Sequence, residues 1–241
     1  MSRRDRKNNQ ISRGYVMRVA LACVSLLALS LGAGAAQAQV QPEVAFNAAV
    51  TSDYVFRGFS QTDASPTVQG GVDATVGPFY AGAWASQVDF GDDTDAELDI
   101  YGGVAVSGGG FDFNVGVIAY HYIGAPNGAD YDNVEFKAAV SRGFGPVTAG
   151  AAIYYSPDFF GPDEQTTYVE GSLGYALRDN ISLSGAYGKQ YLDVGDDYAT
   201  WNAGVKFGVT EKISLDLRYW DTDVDSDLSD SRLVATLGLG F

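Results

Sequence analysis

Residues Thr67 to Val76 read TVQGGVDATV, and they alternate with a period of two. Val68, Gly70, Val72, Ala74 and Val76 share one face; Thr67, Gln69, Gly71, Asp73 and Thr75 share the other. Successive side chains of a strand point to opposite faces, so this stretch is a strand with one greasy and one wet side. The same pattern recurs at Leu98, Ile100, Val104 and Val106 against Glu97, Asp99 and Tyr101. It recurs at Phe111, Phe113, Val115 and Val117 against Asp112, Asn114 and Gly116, and at Trp201, Ala203, Val205 and Phe207 against Asn202, Gly204 and Lys206.

Working outward, twelve strands are expected, at 44–57, 67–76, 79–90, 97–107, 111–123, 134–142, 147–156, 166–177, 181–192, 199–209, 213–221 and 231–241. Most are near the roughly 10 residues that a tilted membrane-crossing strand needs. Short turns (Gly77-Pro78, Gly108 to Gly110, Gly143 to Pro146, Arg178 to Asn180, Thr210 to Lys212) alternate with longer connections. The longer ones are rich in Asp: Ser60 to Pro66, Gly91 to Ala96, Ala125 to Asn133, Pro157 to Gln165, Gly195 to Tyr198 and Thr222 to Asp230. Alternating short turns and long loops mark transmembrane barrels, with the short turns periplasmic. The expected fold is therefore all-β: an antiparallel up-and-down transmembrane barrel of about twelve strands, with both termini in the periplasm.

A soluble barrel also alternates, with its apolar face inward. Three features favour the inverted arrangement. The polar face carries charges and amides on nearly every strand. Aromatics sit at the ends of the apolar faces, with Phe79, Phe111, Phe207 and Phe241 at the turn side and Tyr54, Phe90, Tyr155 and Tyr219 at the loop side, as interfacial girdles would. The chain also ends on Leu233, Ala235, Leu237, Leu239 and Phe241, alternating to a terminal Phe. That last strand resembles the signal read by the barrel-assembly machinery of the outer membrane.

Residues 1–38 differ from the rest. A basic stretch precedes an apolar run from Val19 to about Ala33, followed by Ala36-Gln37-Ala38, an A-x-A site. This is the pattern of a signal peptide cleaved after Ala38, with residues 39–241 forming the barrel domain. Translation could start at Met1 or Met17. The only cysteine, Cys23, lies in the apolar run, so the mature chain would carry no thiol and no Cys-based metal site. The whole chain has net charge −15, and residues 39–241 hold 9 basic against 29 acidic residues, a net of −20. Such a surface offers nothing to nucleic acid, whose phosphates need a basic face.

More specific words occur early in the barrel domain. These are TSDYVFRGFSQ (Thr51 to Gln61), PTVQGG (Pro66 to Gly71), FYAGAWASQVDFG (Phe79 to Gly91) and ELDIY (Glu97 to Tyr101). They resemble the proteobacterial TorF-type porin family, earlier catalogued as conserved hypothetical proteins. The resemblance implies an outer-membrane porin of a Gram-negative bacterium; it carries over no binding residues.

The polar faces place Asn47, Asp53, Arg57, Gln69, Asp73, Asp99, Asp112, Asn114, Glu135, Lys137, Glu170, Lys206, Asp216, Arg218 and Arg232 toward the barrel axis as candidate pore-lining residues. Acids exceed bases there, and rings of acid favour cations. The expected activity is passive diffusion of small hydrophilic solutes through a narrow, cation-preferring or weakly selective pore. The alternative is that these groups pair across the bore and plug it, leaving a non-conducting barrel whose acidic loops adhere, bind ions or support the envelope. No cofactor and no enzymatic step are expected. The only histidine, His121, falls on the outward face near the rim, with Ile123 rather than a serine two residues on. Asp221, Asp223, Asp225 and Asp227 are candidates for a divalent ion, such as one bridging lipopolysaccharide. An EF-hand loop would need Gly and Glu where Ser226 and Arg232 stand. Amino-terminal sequencing of protein taken from outer membranes is expected to begin at Gln39; a sequence beginning upstream of Val19 would remove the cleavage reading.

Overall fold

The structure is a computed structural model, and it describes residues 41–160 and 164–241. The expected signal segment, its Ala38 cleavage site and both candidate start methionines lie outside the described residues. The chain forms β1 (Glu43–Thr51), a small hairpin of β2 (Val55–Phe56) and β3 (Phe59–Ser60), then β4 (Thr67–Val76) and β5 (Phe79–Gln87). These are followed by β6 (Ala96–Gly108), β7 (Phe111–Ile123), β8 (Asn133–Phe144), β9 (Val147–Phe159) and β10 (Glu164–Arg178). The last four are β11 (Ile181–Leu192), β12 (Tyr198–Gly208), β13 (Ile213–Thr222) and β14 (Arg232–Gly240).

Strands β1 and β4 to β14 close into one barrel of twelve antiparallel strands. Closure is made where β14 meets β1, with Ala48 opposite Leu239 and Val50 opposite Leu237. Phe46 and Phe241 exchange both backbone hydrogen bonds, at 3.2 and 2.9 Å, so the terminal residue is part of the seam. The barrel strands run from 9 to 15 residues, enough to cross a hydrocarbon layer when tilted. No described helix is long and apolar enough to cross a membrane.

The barrel is turned inside out relative to a soluble one. Val68 and Val76 are exposed, whereas Thr67 and Thr75, their neighbours on the other face, are buried. Along β14, Leu233 and Leu237 are exposed, as is Phe241 just beyond it, while Val234 is buried. The largest fully buried side chains are Gln190, Glu97 and Glu135, an inventory opposite to that of a soluble core. The outward rim at the turn side is aromatic and cationic, with the Arg142 guanidinium 4.8 Å from the Phe111 ring centre and 5.1 Å from that of Phe144.

Two expectations need correction. The first strand, expected to reach residue 57, stops at Thr51. The Thr51 hydroxyl donates to the Asp53 carbonyl at 2.8 Å, and the backbone then leaves the wall. Arg57 and Gly58 both take positive φ, 46° and 93°, which suits a two-residue turn joining β2 to β3. Tyr54 therefore belongs to this segment and not to an outer girdle. The third expected strand, 79–90, likewise ends at Gln87. Phe90 turns over the mouth, where its ring lies 5.6 Å from Tyr122 and 5.7 Å from Tyr131.

Leu237 lies between Val50 and Leu215 on the outward face. Leu237→Arg is expected to cost about 2–4 kcal/mol if the site lies near the bilayer midplane, read as a lowered urea midpoint for refolding into vesicles. An unchanged midpoint would mean that this face does not meet lipid.

Candidate functional site

Alternation turns polar side chains of every barrel strand toward the axis, and the segment 52–66 folds in among them from the long-loop end. Asp53 pins its base. One carboxylate oxygen accepts from Ser60 at 2.7 Å and Thr62 at 2.9 Å, and the other accepts from Arg232 on β14 at 2.7 Å. The Ser60 backbone N–H donates to the Leu228 carbonyl at 2.8 Å, and that of Asp89 donates to Gln61 at 2.8 Å. These bonds tie the segment to two neighbouring loops.

The tip reaches the opposite wall. Counted around the barrel, β9 is the strand diametrically across from β1. Arg57 docks on this side. Its two terminal nitrogens donate in parallel to the Glu135 carboxylate on β8 at 2.7 and 2.8 Å, and Nη1 also donates to Gln190 on β11 at 3.1 Å. The guanidinium lies 4.3 Å from the Tyr168 ring centre, 5.1 Å from that of Tyr154 and 4.7 Å from that of Phe56. The Arg57 and Glu135 side chains are 6% and 1% exposed, so the pair is withdrawn from solvent. Tyr120 donates to the same carboxylate at 3.0 Å. A buried ion pair keeps its charges only when such bonds replace lost hydration. On the flanks, Tyr54 donates to Glu97 on β6 at 3.0 Å and packs edge-on against Trp84, while Phe59 packs edge-on against Tyr198. A Cβ at Gly58 would lie 2.8 Å from Thr200 Oγ1, so the turn sits tightly on β12. The segment thus touches walls all round the mouth.

The remaining inward side chains form smaller networks. Arg218 donates to Asp216 at 3.2 Å, to Asn202 at 2.6 Å and to Ser184 at 2.8 Å. Tyr101 donates to Asp73 at 2.6 Å, and Asn47 approaches the same carboxylate at 3.5 Å. Tyr80 donates to Asn114 at 3.0 Å, Tyr168 to Glu170 at 3.1 Å, and Gln69 approaches Ser86 at 3.5 Å. Lys137 lies 5.8 Å from the Tyr154 ring centre. Asp99, Asp112 and Lys206 occupy inward register positions between these groups. Among the described residues, the inward acids Asp73, Glu97, Asp99 and Asp112 share the arc β4 to β7, whose strands hold no Lys or Arg; the inward cations of the wall stand on β8 to β14, where Arg57 of the infolded segment also docks.

Every barrel-strand residue expected on the lumen face therefore takes inward parity. Asp53 and Arg57 reach the interior by the infolded segment instead of by a strand. Sequence reasoning left out Glu97 and Gln190, and also the inward rings of Trp84, Tyr80, Tyr101, Tyr120, Tyr122, Tyr154 and Tyr168. Their alternation was the available signal. Three of these rings are seated on glycines, Tyr101 over Gly82, Tyr80 over Gly103 and Gly116, and Tyr168 over Gly188: a Cβ at Gly82 would lie 2.6 Å from the Tyr101 ring.

The other candidates stay outside the interior. His121 is exposed on the outward face and pairs with Asp132. Asp221 accepts from Tyr219 at 2.9 Å and Thr222 at 3.0 Å, and Asp223 accepts from the Ala199 N–H at 2.7 Å. With Asp225 and Asp227 they form no group able to hold a metal among the described residues.

Comparison with known proteins agrees with this architecture. A family model described as a bacterial protein of unknown function matches residues 35–238. No curated protein matches in sequence. Among solved structures, the KdgM porin is similar at TM-score 0.55 and 7% identity, over 82% of this chain and 97% of that one. The NanC porin is similar at 0.56 and 8%, over 83% and 99%. An outer membrane channel from Pseudomonas putida F1 is similar at 0.52 and 10%, over 88% and 99%. At these identities the likeness is one of fold: a porin-like barrel.

A Cβ at Gly103 would collide with the Tyr80 ring and the Val115 carbonyl, whereas one at Gly171 meets nothing within 4 Å. Gly103→Ala is expected to cost about 1–3 kcal/mol by overpacking, and Gly171→Ala to be neutral or slightly stabilising, both read by urea unfolding in detergent. Equal effects would mean that the ring-on-glycine seating carries no stability.

Proposed function

The chain belongs to the Gcw_chp family of bacterial proteins of unknown function, and we propose that it is an outer-membrane channel for passive diffusion of small hydrophilic solutes. One observation carries the reading: the greasy residues face outward while Glu97, Glu135 and Gln190 are the largest fully buried side chains. A barrel built this way is suited to lipid outside and water inside. The TorF-type words at Thr51 to Tyr101 support the same assignment. Export then follows cleavage after Ala38, assembly uses the strand ending at Phe241, and both termini and the short turns face the periplasm. The acidic loops face outward, where divalent cations would bridge them to lipopolysaccharide. The bore is narrow because residues 52–66 occupy its outer mouth. It prefers cations because the arc β4 to β7 presents Asp73, Asp99 and Asp112 without an inward base.

A second reading, a non-conducting barrel, is favoured by the same infolded segment, which touches the wall on all sides. Planar-bilayer recording separates the two. Small unitary currents are expected, with a reversal potential of cation-preferring sign across a potassium chloride gradient. Clear anion preference would contradict the selectivity, and the absence of current from the parent protein and from a barrel lacking residues 53–64 would contradict the channel.

A further inference from the structure

Residues 52–66 are built as a separate piece. The piece has a fixed base, at Asp53, and its far end is held mainly by the Arg57 cluster, with Gly58 seated on Thr200 and Phe59 on Tyr198. The backbone pairing between β2 and β3 is internal to the segment, so the hairpin adds no strand to the barrel wall. Removing it from the bore therefore breaks no hydrogen bond between wall strands; its backbone bond from the Ser60 N–H to the Leu228 carbonyl goes to a loop. Its hold on the far wall is made of side chains, chiefly the Arg57 guanidinium on Glu135 and Gln190.

We propose that this hairpin is a gate that sets which solutes pass, and that Arg57 is its latch. The inference rests on the channel reading above. With the latch engaged, the hairpin crosses the outer mouth and leaves only narrow polar paths beside it. With the latch released, the hairpin swings about the Asp53 base toward the long-loop side and widens the mouth. The aromatic walls suit this role: Phe56 and Phe59 rest edge-on against Tyr120 and Tyr198 at 6.1 and 5.2 Å, contacts that can be left and remade without unfolding a strand.

The test uses the full-length barrel in planar bilayers, with closure of each variant checked by heat-modifiable gel mobility. Arg57→Ala and Glu135→Ala are each expected to raise unitary conductance several-fold and to admit larger neutral solutes in liposome swelling. A tether comes from Phe59→Cys with Tyr198→Cys, in a Cys23→Ala background, bridged by a short bis-methanethiosulfonate. Combined with Arg57→Ala, the bridge is expected to return conductance to the parent level, and dithiothreitol to restore the high level. A barrel with residues 53–64 replaced by a Gly-Ser linker calibrates the open bore. If that barrel conducts well while both latch variants match the parent and the bridge changes nothing, the gate is overturned and the channel reading stands. If that barrel does not conduct, the channel reading itself fails and the gate falls with it.

Discussion

A strand in hydrocarbon has no water to satisfy its N–H and C=O groups, so each unpaired edge group costs several kcal/mol. The rest of the structure follows from this constraint. It forces the sheet to close, which is why β14 meets β1 and why Phe46 and Phe241 complete the seam. It also leaves side chains as the only variable on either face. The outer face can be purely apolar because no backbone group there needs water, and the inner face must carry whatever polarity the chain retains.

The inner face has its own requirement. Charges drawn away from solvent must be paired and hydrogen-bonded. Arg57 satisfies this with a bidentate carboxylate, an amide and three aromatic faces, and Arg218 with Asp216, Asn202 and Ser184. Tyrosines serve both needs at once. Several fill volume over a glycine or a neighbouring ring and send the hydroxyl to an acid or amide, as Tyr101 does to Asp73 and Tyr120 to Glu135. The interior is thus a tyrosine and carboxylate lattice in its long-loop half, and it is this lattice that receives the hairpin.

Much of this is legible in the amino-acid sequence. A period of two over Thr67 to Val76 assigns each side chain to a face, because the pleat leaves no other choice. Glycines at 77, 109 and 145 mark where strands reverse, since each adopts a positive φ there. The face assigned to Asp73, Asn114, Glu170 and Arg218 follows from the same parity. The first strand was read too long for an equally physical reason. TSDYVFRGFS keeps the aromatic and β-branched composition of a strand, and it does form strand, but it pairs with itself.

What the amino-acid sequence determined alone is local: the alternation, the turn positions, the number of wall strands and the alternating run to a terminal Phe. Those depend on backbone geometry and on neighbours in the chain. What only the tertiary structure decided is non-local: that residues 52–66 enter the bore, and that Arg57 meets Glu135 and Gln190, 78 and 133 positions away. No pattern of nearby residues encodes that meeting, because the partners come together only after the barrel has closed and placed β8 and β11 across from β1.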